Sequence, residues 1–285
     1  SRPRGLPPPP RCSAPLLPAA PRGGEPQLRA GLRNESVDCV DEFLQTPLHI
    51  AAAAGQRNAS LTLLAAGAGL SRDARGRGPL HAAAWAGHAD LCRLLLGPAG
   101  AYSEMSDNMG RTALHSSARA GHTAAAGALL EFGALTEARD SEKRSPLHYS
   151  ARADTSLGLT WLLLSRGASA KAEDAAGQRP LHLACLQNQP STVAALQGSG
   201  ADLWSMDRAG WNPLMLAAAA GHEPLVTSLV LGVLQPRVFP APDPSLFVKQ
   251  ESDTVMGLPG WVLAVAGISL CACSTMALAM WRLRR

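Results

Sequence analysis

The phrase TPLHIAAAAG, residues 46–55, decides the fold because close copies of it return along the chain. The copies are GPLHAAAWAG from residue 78, TALHSSARAG from 112, SPLHYSARAD from 145, RPLHLACLQN from 179 and NPLMLAAAAG from 212. One position of the phrase recurs every 32 to 34 residues, at His49, His81, His115, His148, His182 and Met215. A glycine landmark keeps the same period, at Gly67, Gly100, Gly133, Gly167 and Gly200. Two landmarks with one period near 33 indicate a stacked array of small units.

Each unit reads as two short helices. Thr46 supplies a side-chain oxygen that caps free amides, and Pro47 suits the first helical turn, where a missing N–H costs nothing. An Ala-rich stretch follows and stops at glycines. A second helix then carries a leucine pair, such as Leu63 and Leu64, and closes at a glycine suited to the left-handed conformation. The polar residues that remain predict a projecting turn.

These residues resemble ankyrin repeats, whose units read D-x-x-G-x-T-P-L-H-x-A-A-x-x-G-H and end L-L-x-x-G-A. The match runs over about residues 40 to 234. The resemblance implies an all-α repeat solenoid of about six ankyrin repeats, each a helix-turn-helix with a projecting turn or hairpin. Four residues depart from the pattern: Leu44, Asp154, Asn188 and Met215.

The composition and motifs argue against catalysis and metal binding. Hydrophobic residues make up 46% of the chain, aromatic residues 4%, and the formal charge is only +4. All eight histidines fall on structural positions of the resemblance, including the Gly-His pairs of His88, His122 and His222. No nucleophile has a base beside it in any motif, and no phosphate-binding glycine loop is present. We therefore expect no enzymatic activity, no metal and no cofactor.

The six cysteines lie at positions 12, 39, 92, 185, 271 and 273. None of them shows the two-residue spacing of a zinc or thioredoxin-like site. The sequence therefore predicts reduced, mostly buried thiols in a cytosolic protein.

The resemblance implies that the turn tips and the exposed side of the first helices bind protein partners. The residue before each phrase is Gln45, Arg77, Arg111, Arg144, Gln178 or Trp211, and a late position of the first helix is Ala53, Trp85, Arg119, Arg152, Leu186 or Ala219. Lys143 lies beside them. Arginines with tryptophan are typical of interface hot spots and suit carboxylates. We expect an acidic, extended segment of a partner to bind Arg77, Trp85, Arg111, Arg119, Arg144, Arg152 and Trp211. The alternative is that these arginines only solvate exposed turns.

The ends of the chain differ from the array. Residues 1–40 form a Pro/Arg-rich leader, predicted to be disordered, and residues 41–234 the repeat domain, followed by a Pro-rich linker at 235–259. Residues 260–281 carry no charge and end in tryptophan, and a basic tail follows at 282–285. A helix over 260–281 would be about 33 Å long, which matches the hydrocarbon core. The sequence predicts one transmembrane helix of the tail-anchored type, whose small residues leave a homodimer open.

The leading interpretation is a membrane-tethered adaptor or scaffold that recruits a cytosolic protein partner. Its array would face the cytosol from the endoplasmic reticulum or the mitochondrial outer membrane, although the basic tail by itself favours a cytosolic C-terminus. One alternative is a nucleic-acid- or chromatin-associated protein, supported only by the basic surface. Another is a regulatory subunit, or a fragment of a larger membrane protein.

Overall fold

A computed structural model describes residues 11–12, 36–153 and 157–233, and these residues lie within one compact unit. In that part of the chain six helix pairs follow one another at the period of the repeat. The helices are α1 (Pro47–Ala53), α2 (Arg57–Ala65), α3 (Pro79–Ala86), α4 (Ala89–Leu96), α5 (Ala113–Ala120), α6 (Thr123–Glu131), α7 (Pro146–Arg152), α8 (Leu157–Ser165), α9 (Pro180–Leu186), α10 (Pro190–Gly198), α11 (Pro213–Ala219) and α12 (Glu223–Val233). The prediction of an all-helical ankyrin-type solenoid is confirmed.

The first helix of each pair begins and ends where the sequence predicts. Proline occupies the first turn of α1, α3, α7, α9 and α11, where its missing N–H costs no hydrogen bond. Gly87 and Gly121 end α3 and α5 in the left-handed conformation, with φ of 84° and 80°. Asn188 departs from the glycine pattern but takes the same conformation after α9, with φ of 55°. Asparagine tolerates this region better than most residues, so the departure leaves the repeat intact.

The core of the solenoid runs along the stack between the two layers of helices. The first helices α1, α3, α5, α7, α9 and α11 pack each on the next, and the second helices pack likewise from α4 to α10. Ala83, Ala84 and Ala118 are fully buried where first helices meet, because a methyl group lets two backbones approach closely. Leu63 and Leu129, the first members of two leucine pairs, are also fully buried. Truncating such a leucine to alanine typically costs about 2–5 kcal/mol.

The projecting turns are joined to one another by backbone hydrogen bonds. One N–H in each turn donates to a carbonyl of the preceding turn at 2.8–3.0 Å: Ala74 to Phe43, Asn108 to Arg75, Ser141 to Met109, Ala175 to Glu142 and Arg208 to Ala176. The turns need a positive φ, which Gly76 and Gly110 supply without strain. Leu44 and Lys143 hold the same position with φ of 58° and 59°, a conformation that costs a residue with a Cβ about 1–2 kcal/mol.

The prediction that the cysteines are reduced is wrong for one pair. Cys12 and Cys39 form a disulfide with their Cα atoms 4.8 Å apart. The N–H of Cys12 donates to the carbonyl of Val40 at 3.0 Å, which lays the two segments side by side and brings the thiols together. Cys92 and Cys185 are free and buried, and burial raises the pKa of each thiol to about 12. Because disulfides are typical of oxidising compartments, this pair removes the thiol argument for a cytosolic array.

The predicted transmembrane helix at 260–281 lies outside the described residues. So do the basic tail, the linker from residue 235 and most of the leader. Among the helices of residues 36–153 and 157–233, none is long and apolar enough to cross a membrane.

Candidate functional site

The histidines of the repeated phrase fix the backbone beneath the predicted binding residues. Nδ1 of His49, His115 and His148 accepts the N–H of the residue that precedes its helix, at 3.1 Å each. Nε2 donates across to the next repeat, where the acceptors are the carbonyls of Arg77, Arg111, Arg144 and Gln178 for His49, His81, His115 and His148, at 3.0–3.1 Å. A backbone N–H can only donate and a carbonyl can only accept, so the neutral Nε2–H tautomer follows. The structural role that the resemblance implies is present.

Burial keeps these imidazoles neutral. Removal from water lowers the pKa of His115 and His148 from 6.5 to about 4, against the opposing effect of the carbonyls they contact. The pKa values of His49, His81 and His182 are also lowered, again chiefly by burial. A protonated ring would lose its acceptor at Nδ1, so neutrality is a condition of the bridge.

The Gly-His histidines fix a second set of carbonyls. Nε2 of His88 donates to the carbonyl of Ala53 at 3.2 Å, and Nε2 of His222 donates to that of Leu186 at 3.0 Å. A Cβ at Gly55 would come within 2.6 Å of the His88 ring, which explains the glycine. Ala53 and Leu186 belong to the second set of predicted binding positions. Histidines therefore tie the backbone of four positions of the first set and two of the second to a neighbouring repeat.

The arginines before the phrase are neutralised by aspartates four residues earlier. Arg77, Arg111 and Arg144 form ion pairs of 2.8, 2.7 and 3.1 Å with Asp73, Asp107 and Asp140, whose side chains are 3%, 2% and 1% exposed. The second oxygen of each carboxylate accepts two backbone N–H groups of its own turn. Burial alone would raise the pKa of each carboxyl. The arginine and these backbone hydrogen bonds, and for Asp140 above all the Tyr149 hydroxyl, hold the pKa below its ordinary value. These arginines therefore close turns within their own repeats.

The fourth repeat adds an aromatic residue to this arrangement. The Tyr149 hydroxyl donates to Oδ2 of Asp140 at 2.6 Å, and its ring lies 5.0 Å from Cζ of Arg144. Burial, followed by that carboxylate, raises the pKa of Tyr149 to about 12. Its ring also meets His115 edge to face, with centroids 5.7 Å apart. Arg144 is therefore held by the Asp140 carboxylate and by the Tyr149 ring.

The second set of positions, late in the first helix of each repeat, carries arginines that no described aspartate neutralises. Arg119 and Arg152 are exposed at the ends of α5 and α7, and no carboxylate of the described residues pairs with either. Cζ of Arg119 lies 5.5 Å from the ring centroid of Trp85 on α3, and Trp85 remains 49% exposed. Leu186 follows at the same position of α9 and is 37% exposed. Stacking uses the face of the guanidinium and leaves its N–H edges for a ligand.

Trp211 lies apart, in the sixth repeat, and is 43% exposed. The junction below it is less tightly tied: Nε2 of His182 is buried without a hydrogen-bond partner among the described residues. Met215 replaces the histidine of the phrase and is 46% exposed, while Oδ1 of Asn212 caps its N–H at 2.8 Å. Trp211 is thus presented by a less constrained repeat than Trp85.

Sequence reasoning missed the division between paired and unpaired arginines. The signal was present as an aspartate four residues before Arg77, Arg111 and Arg144. The sequence also led us to expect Lys143 on the binding surface. In the structure Lys143 occupies the turn-glycine position, and its carbonyl accepts a hydrogen bond from Nη1 of Arg139. Within residues 36–153 and 157–233, no three histidine, cysteine or acidic side chains gather as a metal site would require.

Comparisons with known proteins agree with the repeat pattern. A family model for ankyrin repeats in three copies matches residues 18–107, 99–174 and 155–235. Ankyrin repeat protein nuc-2 of Neurospora crassa is 32% identical over 173 residues, which are 60% of this chain and 16% of that protein. Rabankyrin-5 of Homo sapiens is 28% identical over 192 residues, which are 66% of this chain and 15% of that protein. The chain thus spans less than a fifth of the length of these curated relatives.

We predict that acid destabilises the array through its histidines. The folded pKa of His115 and His148 is about 4 and the unfolded value 6.5, so the unfolded chain binds more protons in this window. Their contribution to the free energy of unfolding is complete above pH 6.5. It falls as the pH drops towards 4, by on the order of 3 kcal/mol for each histidine. Urea denaturation at a series of pH values measures the loss. Stability that does not change across this window would contradict the prediction.

We predict different stability costs for the two kinds of arginine. Arg144→Ala leaves the buried carboxylate of Asp140 without its ion pair and should cost about 1–3 kcal/mol in the free energy of unfolding. Arg152→Ala, the matched control from the same repeat, should change it by less than about 0.5 kcal/mol. Denaturation of both variants at neutral pH compares them. Equal losses would show that the ion pair in the turn does not distinguish the two arginines.

Proposed function

The chain belongs to the ankyrin-repeat family, and on that premise we propose that it is a non-catalytic adaptor whose array recruits a protein partner. The proposed site is the arginine surface, which comprises Arg77, Trp85, Arg111, Arg119, Arg144, Arg152 and Trp211. One observation carries the proposal: Arg119 and Arg152 stand exposed on the first helices of successive repeats, Arg119 against the ring of Trp85, with no described carboxylate to neutralise them.

The members of the arginine surface have different parts in this proposal. Arg119 and Arg152 supply the charge that a partner's carboxylates would meet, and Trp85 supplies apolar area of the kind found in hot spots. Arg77, Arg111 and Arg144 mainly hold their turns, and they offer a partner only the N–H groups that their aspartates leave free. Trp211 extends the surface into the sixth repeat.

The same division favours a protein partner over nucleic acid. Proteins that bind nucleic acid commonly neutralise several phosphates with unpaired lysines and arginines. Three of the five arginines on the arginine surface already pair with buried aspartates. Two unpaired arginines, one of them against an exposed tryptophan, suit a peptide that carries a few carboxylates and an apolar residue.

We also propose that residues 260–281 anchor the adaptor in a membrane. The support is the sequence: an uncharged apolar stretch of spanning length, bounded near its ends by Trp261 and Trp281 and followed by arginines. A tether of this kind raises the effective concentration of a recruited partner at one membrane without any new contact.

Photo-crosslinking tests the adaptor proposal. A benzoyl-phenylalanine in place of Trp85 keeps an aromatic ring and both arginines, and it should capture a partner in cells, whereas the same group at the exposed Ala124 on α6 should not. Because a like charge placed opposite a partner's carboxylate weakens binding, Arg152→Glu should lower the adduct yield from position 85 by about tenfold. Equal adducts from positions 85 and 124, or none from either, would contradict binding at this surface.

The anchor makes a separate prediction about membrane fractionation. Leu270→Arg places a charge at the centre of the stretch and should move the protein out of the alkali-resistant membrane fraction, because it raises the insertion cost by about 3 kcal/mol. Leu246→Arg adds the same charge in the linker and serves as the control. If as much of Leu270→Arg as of the wild type remains in the alkali-resistant membrane fraction, residues 260–281 do not span the membrane.

A further inference from the structure

We infer that the partner segment is a polyproline II stretch of about ten residues, with acidic side chains three residues apart between two apolar ones. This inference rests on the proposed adaptor function and names the chemistry of its ligand. It concerns the central row, defined as Trp85, Arg119, Arg152 and Leu186, which occupy one position on the first helices of four successive repeats.

The spacing of the central row follows from the packing of the solenoid. Its residues lie on α3, α5, α7 and α9, each of which packs directly against the next. Axes of packed helices lie about 8–10 Å apart, so the backbone positions of the row advance by that distance with every repeat. The long Arg119 side chain reaches back from its own position to 5.5 Å from the Trp85 ring. The alanines buried between these helices keep the spacing short and regular.

Only some backbone conformations bring side chains to one face with this spacing. A polyproline II helix turns once in three residues with a rise of about 3.1 Å each, so every third side chain faces the same way about 9.3 Å further on. In a β-strand, side chains on one face repeat every two residues, at about 6.6 Å or, skipping one, about 13 Å. An α-helix that presents every seventh residue advances by about 10.5 Å. The polyproline II step fits the helix spacing best.

The residues of the central row specify what stands at each step. Trp85 offers a half-exposed aromatic face, and aromatic surfaces are what proline-rich segments dock against. Arg119 and Arg152 then present guanidinium N–H groups that match carboxylates. No acidic side chain of the described residues pairs with them, so a ligand's carboxylate would have none to displace. Leu186 closes the row with an exposed apolar side chain. The pattern is apolar, two spacers, acidic, two spacers, acidic, two spacers, apolar.

The backbone below the central row is held in place before any ligand arrives. At one end, Nε2 of His222 donates a hydrogen bond to the carbonyl of Leu186. Near the other end, Gly87 follows α3 and lies so close to the ring of His122 that a Cβ would not fit. The stacked pair of Trp85 and Arg119 also orders both side chains. A rigid row with a rigid peptide loses little conformational entropy on association, which favours the polyproline II form over a flexible one.

Fluorescence anisotropy with the full chain in detergent tests the register. The probe is a labelled decapeptide, Pro-Pro-Pro-Glu-Pro-Pro-Glu-Pro-Pro-Leu, and the matched controls move the second glutamate one residue either way. We expect the probe to bind at least about tenfold more tightly than either control, because each shift leaves one arginine without its carboxylate. Arg152→Glu should abolish this preference, and a probe with lysine in place of the second glutamate should then bind that variant better than the wild type.

The remaining outcomes overturn the inference. Equal binding of the probe and its shifted controls, or no binding of any of them, would exclude the polyproline II register. An oligonucleotide that bound more tightly than the probe would point to nucleic acid instead. Crosslinks from position 85 that persist alongside either result would leave the adaptor proposal standing, whereas failure of the crosslinks would remove the adaptor itself.

Discussion

A neutral imidazole that accepts at Nδ1 and donates at Nε2 holds each of the first four repeats to the one that follows it. No single repeat can bury the faces of its two short helices, so the stack depends on contacts that cross from one unit to its neighbour. Apolar packing supplies most of that stabilisation but allows neighbouring helices to slide. The bridge from the fully buried His115 to the carbonyl of Arg144, at 3.0 Å, sets the register because an unmet hydrogen bond there would be costly.

The same bridges connect the fold to the surface. Their acceptors are the carbonyls of Arg77, Arg111, Arg144 and Gln178, and the three arginines belong to the arginine surface. The turns use a second device, in which a buried aspartate such as Asp107 binds two N–H groups and one guanidinium. Charge on the surface is consequently divided between arginines that maintain the turns and arginines that are free to bind.

Much of the fold was predictable because the repeat expresses it six times. Proline at the start of helices, glycine at their ends and alanine between them each have a local physical reason that one sequence shows. The Cys12–Cys39 disulfide was not predictable, because 26 residues separate the two thiols and no spacing rule connects them. The left-handed turn at Lys143 was hidden because a lysine there looks like an ordinary charged tip. The pairing of Arg77, Arg111 and Arg144 was visible in the spacing of their aspartates but needed the turn geometry to interpret.

The register of the repeats depends on the tautomer of the bridging histidines, and long-range ¹H–¹⁵N NMR correlation of the imidazole rings measures that tautomer directly. At neutral pH we predict that His49, His81, His115 and His148 carry their proton on Nε2, with an unprotonated Nδ1 that accepts a backbone N–H. Rings protonated on Nδ1, or doubly protonated at that pH, would contradict it. The register of the repeats and the rigidity of the arginine surface would then need another explanation.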